Sequence, residues 1–368
     1  MTSPIKAGPI KVLHVVRPAA GGIRQHVLSL LNGLDPALIT NSVAASPEFL
    51  SGAADARNLF ALVPLAITSK LSAADLRLAK RLAAVQPQFS DIVHAHGLRA
   101  AWIAALACRR RPSPLIWTAH NMVAPSLAAR LAVRVIGRCC VKIVAVSQSV
   151  ADSVIALGVS PAKLQVIPNG IDCEYFACAG TSRAEARASL HLLETAFVVV
   201  SAARLSPEKG LDVLLQAARL RKQMTFLIAG DGPQGPMLTR DLPPNVTLLG
   251  TLADIRPLLF AADVFAMPSR REGQGIAALE AMAVGVPVVA SRVGGLAEML
   301  TDGETALLVA PNDPDALAVA FSRLQSDRRL RGNLAERASA LVQSRYSLPT
   351  MLDTLSALYQ DIGAKTAV

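Results

Sequence analysis

The chain has 368 residues, 52% of them apolar and 4% aromatic, with five cysteines and a formal net charge of +10. That length allows two domains with sizeable cores, and the absence of any unbroken apolar run near 18 residues argues against a membrane-spanning helix. The N-terminus enters a strand pattern almost at once, without the apolar segment and cleavage site of a secretory signal. Cys108, Cys139, Cys140, Cys173 and Cys178 form no CxxC, so they read as free thiols in a reducing cytoplasm and not as metal ligands. Charge is unevenly spread: residues 1–172 carry +11 and the remainder −1. Arg109, Arg110 and Arg111, with Arg130, Arg134 and Arg138 at helical spacing, supply much of the excess. The asymmetry points to an anionic partner for the first half: an acidic membrane surface, an anionic small molecule or nucleic acid. A solvated basic face with no partner fits the pattern equally. Scarce aromatics and the lack of any base-reading motif weigh against specific nucleic-acid recognition.

In chain order, the first half alternates β-branched runs with helical patterns. The pattern predicts a strand at 10–16, a helix at 21–34, and strands near 42–45 and 61–65. A helix follows at 72–85, opened by a Ser72-x-x-Asp75 capping box. Strands at 91–94, 114–119, 141–146 and 163–168 then alternate with helices at 98–109, 127–140 and 150–157. Residues 172–195 break the rhythm as a linker with a lead-in helix. A second series places strands near 197–202, 224–229, 246–249, 264–266, 286–290 and 306–309. One long helix is predicted over 313–342 and a last one from about 349 to 361. This is the signature of α/β architecture with two Rossmann-like, doubly wound parallel sheets and a cleft between them. Ligands in such sheets sit beyond the carboxyl ends of strands, so those junctions are where chemistry is sought.

The richest stretch is 268–298, PSRREGQGIAALEAMAVGVPVVASRVGGLAE. Glu272 lies in a glycine-flanked loop, and Glu280 follows on a helix, where the 3.6-residue period puts it on a core-facing stripe with Ile276, Leu279 and Ala283. A carboxylate there needs a partner: a buried backbone group or arginine, or the hydroxyls of a ligand. On a continuous helix the two carboxylates would stand roughly 12 Å apart, too far to share a proton. Gly294 and Gly295 open a further helix, and glycine-led helix starts can hold anions.

Elsewhere, Arg204 and Lys209 in SAARLSPEKG follow a strand and precede Gly210 and a helix, a setting suited to a diphosphate. Gly21 and Gly22 fall at the first strand-to-helix junction, compatible with close ligand approach or with a plain turn. Gly230 to Gly235 match GxGxxG, but Pro233 and the missing downstream acidic residue favour a tight turn over a dinucleotide site. Asp313-Pro314-Asp315 has the form of a metal-binding DxD, yet Asp at an N-cap followed by proline explains it locally. His94, His96 and His120 lie at strand ends, and each is either structural or functional.

Taken together, Gly21 with Gly22, PNGID at 168–172, AARLSPEKG, GDGP and the 268–298 stretch resemble the retaining glycosyltransferases of family 4. The resemblance implies the GT-B fold: an acceptor-binding domain over 1–172, a donor-binding domain over 173–347, and a C-terminal helix at 348–368 crossing back to the first. It implies transfer of a hexosyl unit from a UDP-, GDP- or ADP-sugar to a glycan or lipid-linked acceptor, with no cofactor or metal. A cytoplasmic enzyme of cell-envelope polysaccharide or glycolipid synthesis is expected. The basic charge of the first half, where this fold holds the acceptor, adds the expectation of an anionic or lipid-linked acceptor and a loose, peripheral association with the acidic inner face of the membrane. Glu272 with the amides of Gly273, Gln274, Gly275 and Ile276 would hold the donor sugar, and Glu280 the ribose. Arg204 and Lys209 would neutralise the diphosphate with the help of Gly21 and Gly22, and His120 would contact the sugar near the reacting carbon. Gln274 departs from the family, which usually has an aromatic or aliphatic residue there. The rivals are a phosphorylase or sugar-nucleotide epimerase on the same fold, and a non-enzymatic basic nucleotide- or nucleic-acid-binding protein.

Overall fold

A computed structural model describes residues 8–366 except 19–20, 52, 54–55, 69–71 and 179. Two compact units emerge. One runs to Gly170 and includes the last helix from Leu348; the other is Ile171–Ser347.

In the first unit the elements are β1 (Ile10–Val16), α1 (Gly22–Gly33), β2 (Ile39–Ala45), α2 (Pro47–Ser51), β3 (Leu59–Pro64) and α3 (Ala74–Phe89). They continue as β4 (Ile92–His96), α4 (Leu98–Arg110), β5 (Leu115–Ala119), α5 (Leu127–Cys139), β6 (Cys140–Ala145), α6 (Gln148–Ile155) and β7 (Leu164–Val166). The second unit begins with α7 (Cys173–Ala177), α8 (Arg183–Ser189), β8 (Val198–Ala202), α9 (Leu211–Leu220), β9 (Thr225–Ala229), α10 (Gly235–Arg240) and β10 (Val246–Gly250). It goes on through α11 (Arg256–Ala261), β11 (Val264–Met267), α12 (Ile276–Val284), β12 (Val288–Ser291), α13 (Gly294–Met299), β13 (Leu307–Val309), α14 (Pro314–Ser326) and α15 (Arg328–Arg345). Helix α16 (Leu348–Thr366) completes the first unit.

Both sheets are parallel. The first has the order β3-β2-β1-β4-β5-β6-β7 and the second β10-β9-β8-β11-β12-β13. The central strands are buried on both faces by helices: β4 and β5 are buried throughout, β5 with the largely apolar run LIWTA and β4 with two histidines among its apolar residues. On one face of the first sheet, Val12, Ile92, Ile116 and Val144 meet Met351, Leu355, Tyr359 and Ile362 of α16. Each such aliphatic side chain stabilises the unit by about 1.5–3 kcal/mol when fully buried. The strand order reverses between β1 and β4 in one sheet and between β8 and β11 in the other. Those reversals open the crevices where α/β sheets bind ligands.

Two local expectations are corrected. Helix α3 starts at Ala74 without a side-chain cap, so the Ser72–Asp75 capping box does not form. Asp75 instead takes a two-pronged salt bridge from Arg99, at 2.9 and 3.0 Å. The single helix expected over 313–342 is two, because the Asp327 side chain accepts from Leu330 N and caps α15.

Tyr359 also hydrogen-bonds to Nδ1 of buried His94 at 2.6 Å, while His94 Nε2 meets Thr118 Oγ1 at 2.6 Å. Replacing Tyr359 with Phe keeps the ring packing but strands His94 Nδ1, at a cost of about 1–3 kcal/mol. Denaturant unfolding should show that loss; an unchanged midpoint would refute the role of this bond.

Candidate functional site

The second sheet's reversal point is built from two loops. After β8 the chain runs through Arg204 to a tight 3-10 turn, Pro207–Lys209, and then to Gly210, which begins α9. After β11 it runs from Pro268 to Gly275, which begins α12. These loops touch backbone to backbone. Gly210 has φ +62°, and a Cβ there would lie 2.1 Å from Pro268 O, so no other residue fits. Arg270 N donates to Glu208 O at 2.8 Å. The Arg270 guanidinium grips both oxygens of Asp212, at 2.8 and 2.6 Å, and donates to Pro207 O at 2.8 Å. Those Arg270 hydrogen bonds hold the Asp212 carboxyl below its ordinary range.

The fixed loops bring Lys209 and Glu272 together. Lys209 Nζ lies 2.7 Å from Glu272 Oε2, and Ser269 Oγ donates to the same oxygen at 3.1 Å. Glu272 is buried and Lys209 about a fifth exposed, with side-chain accessibilities of 9% and 21%. The paired oxygen is Oε2 in both contacts. Arg204 is exposed and pairs with Glu208 four residues on in the loop. The expected pair of free cations is therefore two ion pairs, and any phosphate bound here competes with Glu208 and Glu272.

Behind this, the loop after β12 closes on the glutamate loop. Gly295 N donates to Glu272 O at 3.2 Å, and a Cβ on Gly295 would stand 2.1 Å from Gly273 O. That amide of the second glycine-led helix start, read above as an anion site, is thus spent on protein backbone. Gln274 is buried beneath the same contact. The GDGP turn also serves the β8 loop: Leu205 N donates to Asp231 O at 3.0 Å, and Gln234 N to Leu205 O at 2.9 Å.

Glu280 needs a correction. Helix α12 is apolar and buried nearly all round, so it has no single core stripe. Leu279 and Ala283 are buried, whereas Glu280 lies with Ile276 and Ala277 on the partly exposed side. Desolvation pushes its carboxyl up to about 8. Among the described residues, desolvation is the only cause acting on it, with no arginine or backbone amide offsetting it.

The remaining candidates belong to the first unit. Gly21 caps the N-terminus of α1 at φ 70°, ψ −141°, and Gly22 is the helix's first residue. His120 follows β5, is buried, and has an unpartnered Nε2 among the described residues. Burial holds its pKa well below 6.5, with the charges of His26 and Arg17 adding to the effect, so the ring is neutral. His94 and His96 are fully buried on β4. Ser269, Arg270, Glu208 and Asp212 were not singled out from the sequence. Ser269 and Arg270 could have been, since they sit inside PSRRE; Asp212 pairs across a separation of 58 residues that no local pattern marks.

Comparison with known proteins agrees with this architecture. Residues 20–175 match the model of Glycosyltransferase Family 4, and residues 196–327 that of Glycosyl transferases group 1. The D-inositol 3-phosphate glycosyltransferase of Saccharomonospora viridis is 32% identical over 315 residues, 75% of this chain and 71% of that protein. The chain belongs to the family 4 glycosyltransferases. The same-named protein of Actinosynnema mirum is 35% identical over 292 residues, 69% of this chain and 68% of the relative. Among solved structures, Anabaena Alr3699/HepE in complex with UDP-glucose has a TM-score of 0.85 at 24% identity, covering 95% of this chain and 99% of that one. The sucrose-phosphate synthase of Thermosynechococcus elongatus has a TM-score of 0.80 at 21% identity, covering 96% and 100%. These two likenesses carry the GT-B fold of this family 4 member.

A pH dependence follows from Glu280. Its folded pKa of about 8 exceeds its ordinary 4.5, so between those values the folded chain holds a proton that the unfolded chain has lost. This group's contribution therefore falls as pH rises from about 4.5 to about 8. Glu280→Gln should unfold with a flatter pH slope than the parent across that window. Parallel slopes would show that the carboxyl is not desolvated.

Proposed function

We propose that the chain transfers a sugar from a nucleotide diphosphate sugar to an acceptor with retention of anomeric configuration, and that the donor binds at the β8 and β11 loops. The observation that carries this reading is the Lys209–Glu272 pair beside Arg204 at the sheet's reversal point: cations for a diphosphate next to a carboxylate for sugar hydroxyls. On binding, the diphosphate draws Lys209 and Arg204 from their carboxylates, which frees Glu272 to accept from the sugar. Glu280 accepts from the ribose, and those hydrogen bonds favour its charged form. Support comes from the UDP-glucose held by the similar Anabaena protein.

In the reaction, the acceptor oxygen bonds to the anomeric carbon as that carbon's bond to the β-phosphate oxygen breaks. Attack comes on the face the diphosphate leaves, and the acceptor proton passes to a leaving phosphate oxygen. Arg204 and Lys209 stabilise the departing charge where a divalent metal serves other transferases, so this step proceeds without one. For the acceptor, the excess charge of residues 1–172 favours an anionic or lipid-linked molecule, in keeping with relatives named for inositol 3-phosphate. Cell-envelope glycan or glycolipid synthesis is the setting we propose, with the protein on the inner face of the membrane. Helix α5 supports that placement: Leu127 and Leu131 are 76% and 57% exposed, with Arg130, Arg134 and Arg138 on the same exposed side. No helix among the described residues is long and apolar enough to cross a membrane.

A panel of UDP-, GDP- and ADP-sugars should contain a donor that raises the melting temperature. With that donor, Lys209→Ala and Arg204→Ala should each lower kcat by about 10²–10³-fold. If no donor protects the chain, or both variants turn over normally, the site assignment fails. Inverted product by NMR would overturn retention, and donor consumed without an acceptor would favour the phosphorylase or epimerase reading.

Vesicles of anionic lipid at low salt should sediment the protein, and L127E/L131E should release it. Equal recovery in the supernatant with neutral and anionic vesicles would remove the membrane from the proposal.

A further inference from the structure

Five of the six histidines gather at the reversal point of the first sheet. His14 lies on β1, His94 and His96 on β4, His26 on α1 and His120 just after β5, and all five are buried. His94 and His96 rings lie 4.2 Å apart between centroids, and His26 and His120 4.8 Å apart. Two triads have nitrogens within 4.8 Å of one another: His14, His94 and His96, and His26, His96 and His120.

Hydrogen bonding separates the two. In the first triad the nitrogens of His14 and His94 are occupied: His14 Nε2 faces Asn41 Oδ1 at 2.9 Å, and His94 is held by Tyr359 and Thr118. In the second, His96 Nδ1, His120 Nε2 and both nitrogens of His26 are buried without a hydrogen-bond partner among the described residues. A network of proton positions then fixes His96. Asn41 Oδ1 can only accept, so His14 Nε2 carries its proton and the neutral ring's Nδ1 is an acceptor. That acceptor lies 3.0 Å from His96 Nε2, which therefore donates. His96 Nδ1 is left with a lone pair and no hydrogen-bond partner.

We infer that His26, His96 and His120 form a site for one imidazole-preferring divalent ion of the zinc, cobalt or nickel class. Three neutral imidazoles with a fourth position open to water suit such an ion. The chain from His96 through His14 to Asn41 is the outer hydrogen-bond shell that orients a ligating ring. Bonds of about 2.0–2.1 Å require the rings to draw inward, which side-chain rotation of His26 on its helix and His120 in its loop supplies. The first unit alone provides these ligands, so the ion is not the diphosphate counter-ion considered above.

The test uses the full chain stripped with chelator and titrated with Co2+. The expected result is one ion per chain, the intense visible bands of a four-coordinate cobalt site, and a rise in melting temperature. His26→Gln and His120→Gln should each weaken binding at least about 10-fold, and His191→Gln, the sixth histidine, should leave it unchanged. Melting curves in chelator verify that each variant folds, and either triad variant that does so suffices. Absence of the cobalt bands at millimolar Co2+, binding indifferent to both triad substitutions, or binding lost in His191→Gln would overturn the site. Donor protection measured in chelator tests the proposed reaction independently.

Discussion

The salt bridge between Lys209 and Glu272 joins the two loops at the reversal point of the second sheet, and the local structure there depends on it. Taking both charges out of water is costly, and removing either partner leaves the other buried and uncompensated. The pair therefore persists only because other groups hold its geometry. Ser269 binds the same carboxylate oxygen, and Arg270 fastens the β11 loop to Asp212 and Pro207. The backbone contact at Gly210 leaves no space for any side chain between the loops. A lysine and a glutamate 63 residues apart thus behave as a preorganised unit.

This arrangement alters the picture of a positively charged phosphate cradle. Each cation already has a carboxylate, so the empty-handed attraction for phosphate is modest, and binding is an exchange of partners. Such exchange favours a ligand that satisfies both sides at once. A bare diphosphate would take Lys209 and strand Glu272; a diphosphate with a sugar attached would satisfy both. On the proposed reading, the ion pair is a source of selectivity for the intact donor over its nucleotide product.

How much of this was legible in sequence depends on the range of the interaction. The βα alternation is local, and it gave both parallel sheets and the strand ends where Arg204, Lys209 and Glu272 lie. Proline and glycine marked the loops for the same reason. Long-range pairings were invisible: Asp75 left its capping box for Arg99, 24 residues away. The Asp327 cap that ends one helix and starts the next is local, but it lies inside a continuous helical pattern that masks it. Glu280 was misplaced because a stripe was assumed where the helix is covered on nearly every side. Periodicity carries no information on a helix whose surroundings are apolar all round.

The two reversal points solve the same topological problem with different chemistry. In the second sheet, charged side chains at the strand ends neutralise one another across loops, and that side of the molecule has a net charge close to zero. In the first, the strand ends are filled by neutral imidazoles while the surrounding surface is strongly basic. Burial keeps those rings uncharged: His14 and His26 are lowered to about 4. A cluster of protonated histidines inside a basic unit would repel itself and its surface, so the rings themselves stay neutral. Imidazole meets that constraint near neutral pH and still presents a lone pair, whereas an ordinary lysine is protonated there and an ordinary carboxyl ionised.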